Sequence, residues 1–144
     1  EKFRRAYEEE KRNFGYIYVD IHGYNAFRDK YGKDLGERLL HRIADNMKEA
    51  VGAGGAVGRI WLDNFVVICQ TESLEGMETE IEKIRQKLWQ IRRIGEIPVT
   101  VYVSAGAGLY SEAENLEQCL MLARNRMKEA RGELFGPRQK GSFD

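Results

Sequence analysis

The feature that most constrains the fold is a change of apolar period at His22-Gly23. From Gly15 the side chains alternate, with Ile17, Val19 and Ile21 on one face and Tyr16, Tyr18 and Asp20 on the other. A period of two predicts a β-strand. Beyond the glycine, Tyr24 to Tyr31 reads as a short helix ended by Gly32. A longer helix follows, with Leu35, Leu39, Ile43, Met47 and Ala50 spaced by four, four, four and three, and Leu40 and Ala44 beside them. Helices with one apolar face have to lie on a sheet, so strand and helices share one core.

The rest of the chain repeats that logic. Gly52, Gly54 and Gly55 end the long helix. Ala56 to Ile60 and Phe65 to Cys69 then predict a hairpin around Trp61-Leu62-Asp63-Asn64, whose Asp-Asn pair tolerates the backbone such tips demand. Met77, Ile81, Ile84, Leu88 and Ile91 share a four, three, four, three spacing with Leu116, Leu120, Ala123, Met127 and Ala130, which predicts two more helices. Between them Val99, Val101 and Val103 alternate with Thr100, Tyr102 and Ser104. That pattern predicts a strand entered at Pro98 and left through Ala105-Gly106-Ala107-Gly108. The order β-α-α-β-β-α-β-α describes an α+β domain with a mostly antiparallel central sheet surrounded by helices.

Composition narrows the function classes. A chain of 144 residues is one domain, able to bury roughly 68–70% of the surface its unfolded form exposes, with no disulfide or structural metal needed. The balance of 23 Lys+Arg against 23 Asp+Glu argues against a nucleic-acid-binding surface. Cys69 and Cys119 form no CxxC or Cys/His cluster and read as buried thiols of a cytoplasmic protein. The longest uncharged run, Ile97 to Ser111, has 15 residues, whereas a spanning helix takes about 20.

Both ends point to a piece of a larger protein. Residues 1–13 carry five basic and four acidic side chains around Phe3, Ala6 and Tyr7, which is expected to be a charged linker helix from an upstream domain or half of a coiled coil. The first residue is Glu1 and the opening stretch is charged, so no secretory leader is expected. Residues 14–135 are expected to form the domain, and 136–144 a linker or tail. The zero net charge also conceals a local surplus, since Arg124 to Lys140 holds six basic residues against two acidic ones.

On the residues alone, packing the first strand beside the third brings Asp20 near the hairpin tip, where it would meet Asp63. Two carboxylates from different elements beside the Gly23 turn make a seat for a divalent cation and a polyphosphate. The plainer alternative has Asp20 capping the short helix and Asp63 serving as a turn residue.

The run from Tyr18 to Glu37 resembles the opening block of GGDEF domains, the diguanylate cyclases, which usually reads D-x-D-x-F-K-x-x-N-D-x-Y-G-H-x-x-G-D. Arg59-Ile60-Trp61-Leu62-Asp63-Asn64-Phe65 is similar to the signature block R-x-G-G-D/E-E-F. Ser104-Ala105-Gly106-Ala107 and Ala123 to Arg131 resemble two later segments, S-x-G-x and A-D-x-A-L/M-Y-x-A-K. The resemblance covers about Phe14 to Arg131. It implies a nucleotide cyclase-like fold and a family that condenses two GTP into cyclic di-GMP across facing domains, by Mg²⁺-assisted phosphoryl transfer. Position by position it implies metal ligands at Asp20, the Ile21 carbonyl and Asp63. Nucleotide contacts would come from Gly23, Tyr24, Asn25, Arg28, Glu37 and Arg131.

The departures are as informative. The two signature glycines are Trp61 and Leu62, which would obstruct the approach of a nucleotide. The signature Glu is Asn64, an amide that takes up no proton at neutral pH and is a weaker cation ligand. Arg28 stands where the family has a guanine-reading Asn, and Glu37 where it has Asp. His22 replaces the family's second Asp and reads as a hydrogen-bonded side chain rather than a ligand. His41 reads as structural. The family's inhibitory R-x-x-D site falls on Gly52 and Gly55, so none is expected. Trp61 would either fold back over the pocket or anchor a partner.

These features lead to the expectation of a degenerate GGDEF domain in a multidomain cyclic di-GMP signalling protein, with no competent catalytic residue at Asp63 and Asn64. It would act as a regulatory, nucleotide-sensing or dimerisation module. The alternatives are an active diguanylate cyclase or related nucleotide cyclase of altered substrate preference, and a ligand-free protein interaction domain. GTP or another purine nucleotide, Mg²⁺, an upstream sensor, a downstream phosphodiesterase domain and a second copy of the chain are the implied partners. Nucleic acid and membrane are not among them.

Overall fold

The structure is a computed structural model that describes residues 14–61, 63–71 and 73–138, with side chains described up to residue 130. The expected charged helix of residues 1–13, the Leu62 side chain, the Arg131 side chain and residues 139–144 lie outside the described residues.

The elements are β1 (Phe14–Ile21), α1 (Tyr24–Tyr31), α2 (Lys33–Val51), β2 (Ala56–Trp61), β3 (Asn64–Gln70), α3 (Leu74–Trp89), β4 (Arg93–Ile94), β5 (Ile97–Pro98), β6 (Val103–Leu109), a 3₁₀ turn at Tyr110–Glu112 and α4 (Leu116–Arg138). β2, β3, β1 and β6 form an antiparallel sheet in that order, and β4 and β5 pair separately. β1 is therefore central and lies between β3 and β6.

The alternation in β1 assigns its two faces to different helices. Ile17, Val19 and Ile21 join Phe65, Val67, Leu40, Ile43, Met47, Ile81, Ile84 and Leu88 in the main core beneath α2 and α3. Tyr18 faces the other way and packs with Ala123 and Met127 of α4. The Ser73 hydroxyl, accepting from the Gly76 N–H at 3.0 Å, caps α3 and defines where that helix begins.

One expected element is displaced. The strand forecast over Val99 to Val103 is found at Val103–Leu109, while Val99 and Val101 reach the core from a segment that follows the small β4–β5 hairpin. The reason lies in α4. A Cβ on Gly106 would sit 2.5 Å from the Ala123 carbonyl oxygen and closer still to the Met127 amide nitrogen. The Ala-Gly-Ala-Gly run is thus a strand stripped of side chains where the helix backbone presses on it, and not the exit from one.

Candidate functional site

Asp20 ends the polar face of β1, directly across from Asn64 of β3 and Ser104 of β6. Three polar side chains therefore stand in a row on the α4 side of the sheet. Asp20 and Ser104 are both buried. Past the strand end, His22 Nε2 lies 2.6 Å from Ser104 Oγ, so the hydrogen-bonded reading of His22 is the one the structure supports. The Ile21 N–H donates to the Asp63 carbonyl at 2.9 Å, which pins the hairpin tip to the end of β1. This bond places Asp63 beside Asp20.

Asn64 joins the two carboxylates. Its amide nitrogen donates to Asp20 Oδ1 at 2.6 Å and, at a longer 3.4 Å, to Asp63 Oδ1. Ionised carboxylates only accept, so the NH₂ has to face them. The Tyr18 hydroxyl then donates to Asn64 Oδ1 at 2.9 Å and holds the amide in that sense. Asp20 does not cap α1. The N-cap is Gly23, at φ 75° and with no side-chain cap, a left-handed backbone that favours glycine. Asp63 is a turn residue as well as a neighbour of Asp20.

For a divalent cation the donor chemistry is suitable, because two hard carboxylates converge on a single point. That point is taken by the Asn64 nitrogen. Among the described residues no group of three His, Cys, Asp or Glu converges as a metal site. By donor type the two carboxylates suit a divalent cation.

The expected nucleotide contacts surround the turn. Tyr24 is buried, Asn25 exposed, and the Arg28 guanidinium lies 5.9 Å from the Tyr24 ring centre. The Tyr24 hydroxyl abuts Gly36 at the start of α2, where a Cβ would approach it to 2.9 Å, and is buried without a hydrogen-bond partner among the described residues. Burial first, and the Glu37 carboxylate next, push the Tyr24 phenol above its ordinary pKa, with Arg28 and Arg59 opposing. Glu37 itself faces Arg59 of β2, two guanidinium nitrogens standing 3.5 Å from its two oxygens.

A cleft of about 410 Å³ opens between the β1–α1 turn and residues 98–102, walled by His22, Gly23, Tyr24, Phe27, Val99 and Tyr102. Trp61 does not fold over any of this. It is 69% exposed, with Ile60 beside it at 42%, because a register shift between Arg59 and Trp61 turns the end of β2 outward. The expectation that Trp61 packs back over the pocket is corrected accordingly. His41 is likewise on the solvent face of α2. The basic surplus on α4 is partly neutralised, since Arg126 pairs with Glu112 at 2.7 Å.

Two participants escaped the sequence reading, Tyr18 as the partner of Asn64 and Arg59 as the partner of Glu37. The signal for Tyr18 was present, because it is two residues before Asp20 on the same strand face.

The comparisons with known proteins agree with this geometry. The chain belongs to the GGDEF family: the model described as diguanylate cyclase, GGDEF domain, matches residues 1–135. Among relatives, it is 29% identical over 99 residues to the bifunctional diguanylate cyclase/cyclic di-GMP phosphodiesterase MucR of Pseudomonas aeruginosa, a match covering 69% of this chain and 14% of MucR. The chain thus corresponds to a small part of that relative. The active GGEEF domain of a diguanylate cyclase from Vibrio cholerae superposes with a TM-score of 0.81 at 20% identity, over 92% of this chain and 86% of that one. An EAL/GGDEF domain protein from M. capsulatus gives 0.77 at 25% identity, over 84% and 79%. The α+β, antiparallel-sheet, cyclase-like fold is thereby established. Among the described residues no helix is long and apolar enough to cross a membrane.

Proposed function

We propose that this GGDEF domain does not synthesise cyclic di-GMP and serves a cytoplasmic, multidomain cyclic di-GMP signalling protein as a regulatory, nucleotide-sensing or dimerisation module. The observation that carries the reading is Asn64, whose amide donates to Asp20 where the family pattern has a carboxylate. A neutral amide neither adds negative charge for a cation nor accepts a proton from an attacking hydroxyl. Trp61, exposed and in place of a glycine, deprives the hairpin of the bare backbone that the family pattern has at that position. When bound, Mg²⁺ would be held by Asp20, Asp63 and the Ile21 carbonyl and would neutralise phosphate charge. Gly23, Tyr24, Asn25, Arg28, Glu37 and Arg131 are the residues assigned to a purine nucleotide such as GTP. An upstream sensor and a downstream phosphodiesterase domain fit the match to a small part of a bifunctional relative. The domain needs no nucleic acid and no membrane contact.

Incubation with GTP and Mg²⁺ or Mn²⁺ tests the reading, and product above background overturns it. The convergence of Asp20 and Asp63 on one amide nitrogen favours a second reading, an active cyclase of altered substrate preference. The exposure of Trp61 and Ile60 favours a third, a ligand-free interaction domain. Calorimetry with GTP, ATP and cyclic di-GMP separates them: binding of any one eliminates the third, and turnover of another nucleotide supports the second.

A further inference from the structure

Tyr24 and Arg28 lie four residues apart on α1, a spacing that stacks them on one helical face with the later side chain folded back toward the earlier. The Arg28 guanidinium carbon accordingly stands 5.9 Å from the Tyr24 ring centre. Both side chains converge on Gly36, in the first turn of α2. A Cβ built there would meet the Tyr24 hydroxyl at 2.9 Å, Arg28 Cγ at 3.2 Å and Arg28 Cβ at 3.4 Å. The space that a side chain at Gly36 would fill is thus taken by a phenol and an arginine stem. Glu37, next along α2, is turned to Arg59 at 3.5 Å. Tyr24 is 1% exposed, and its hydroxyl is buried with no hydrogen-bond partner among the described residues. Such a hydroxyl weakens the folded state, and a phenyl ring would fill nearly the same volume without that penalty.

From this arrangement we infer that Arg28 plugs a purine subsite between α1 and α2, and that the Tyr24 hydroxyl beside it is the contact a base gains when the plug is lifted. The inference rests on the reading of Arg28 and Glu37 as base-facing positions, and it makes Arg28 the obstacle there. A flat base can lie against Gly36 only where no side chain intervenes, and the Arg28 stem intervenes. With the stem withdrawn, the hydroxyl can donate to a ring nitrogen or a carbonyl oxygen, or accept from an amino group. Those are the groups along a purine edge.

Calorimetric titration of the purified chain with GDP, which carries the base without the triphosphate of a cyclase substrate, tests this. Arg28→Ala and Arg28→Met remove the same charge, but only Ala removes the stem. Both residues are strong helix formers, so α1 is retained. Arg28→Ala is expected to bind GDP about tenfold more tightly than Arg28→Met, the scale of two methylene groups that no longer have to be displaced. Adding Tyr24→Phe to Arg28→Ala gives back about two- to tenfold, the scale of one neutral hydrogen bond. Tyr24→Phe alone raises the thermal midpoint by about 2 °C or more, because it deletes an unsatisfied hydroxyl. If Arg28→Met binds GDP as tightly as Arg28→Ala, the plug is overturned and the purine reading stands. If Tyr24→Phe leaves GDP affinity unchanged or lowers the midpoint, the hydroxyl contact is overturned. If no variant binds GDP, the purine subsite itself is wrong, and the plug falls with it. None of these results depends on whether the domain makes cyclic di-GMP.

Discussion

Replacing Gly106 by Ala puts a methyl group where α4 presses on β6. The added carbon would lie 2.5 Å from the Ala123 carbonyl oxygen and 2.5 Å from the Arg126 carbonyl carbon. Ordinary contact between such atoms is about 3.5 Å, so the helix backbone has to move by roughly 1 Å. No side chain can swing aside, because the obstructing atoms are backbone. The shift loosens Ala123 and Met127 from Tyr18, the residue that holds Asn64. Overpacking of this kind costs about 1–3 kcal/mol, and the upper half applies here because the obstacle is rigid. At about 2–4 °C per kcal/mol for a chain near this size, the melting midpoint should fall by roughly 5–10 °C. Gly58 is the control: it lies on the exposed edge strand β2 with nothing within 4 Å of a built Cβ. Gly58→Ala should change stability by no more than about 0.5 kcal/mol. Urea and thermal denaturation of both variants provide the comparison. A Gly106→Ala protein as stable as wild type would refute the account of why β6 is built from small residues.

Further outcomes follow from the charged and thiol groups. Arg126 donates to both Glu112 oxygens at 2.8 and 2.7 Å and to the Ala107 carbonyl at 2.9 Å. The hydrogen bonds from Arg126 hold the Glu112 carboxyl below its ordinary value of 4.5. A depressed folded pKa gives stability that is present above the unfolded value and lost as pH falls through the folded one. Glu112→Gln should therefore be less stable than wild type at pH 7, with the difference shrinking as the pH falls below about 4; a gap that widens in acid would refute the pair. Burial pushes the Cys69 thiol up to about 12, and Cys119 is equally enclosed. Thiol reagents at pH 8 should label neither cysteine until urea unfolds the chain, and rapid labelling of the native protein would contradict that burial.

Much of this was legible in the residues because it depends on local period. The alternation in β1 and the spacing of Leu39, Ile43 and Met47 each encode a buried face, and β1 beside β3 followed from the order of elements. From that neighbourhood came the meeting of Asp20 with the hairpin tip. β6 was not legible, since Gly106 and Gly108 have little strand preference and their reason lies in a helix backbone residues away in sequence. The outward turn of Trp61 depends on a register shift, which leaves no mark in composition. The role of Tyr18 required the register of β1 on β3, which carries its hydroxyl to Asn64.

The most direct test of the central claim is product formation. The purified chain is incubated over a range of protein concentrations with GTP and Mg²⁺, then Mn²⁺, and cyclic di-GMP is quantified by mass spectrometry beside an active GGDEF domain as control. The account predicts no cyclic di-GMP above the enzyme-free blank at any concentration. Product that rises with protein concentration and disappears in Asp63→Asn would contradict it.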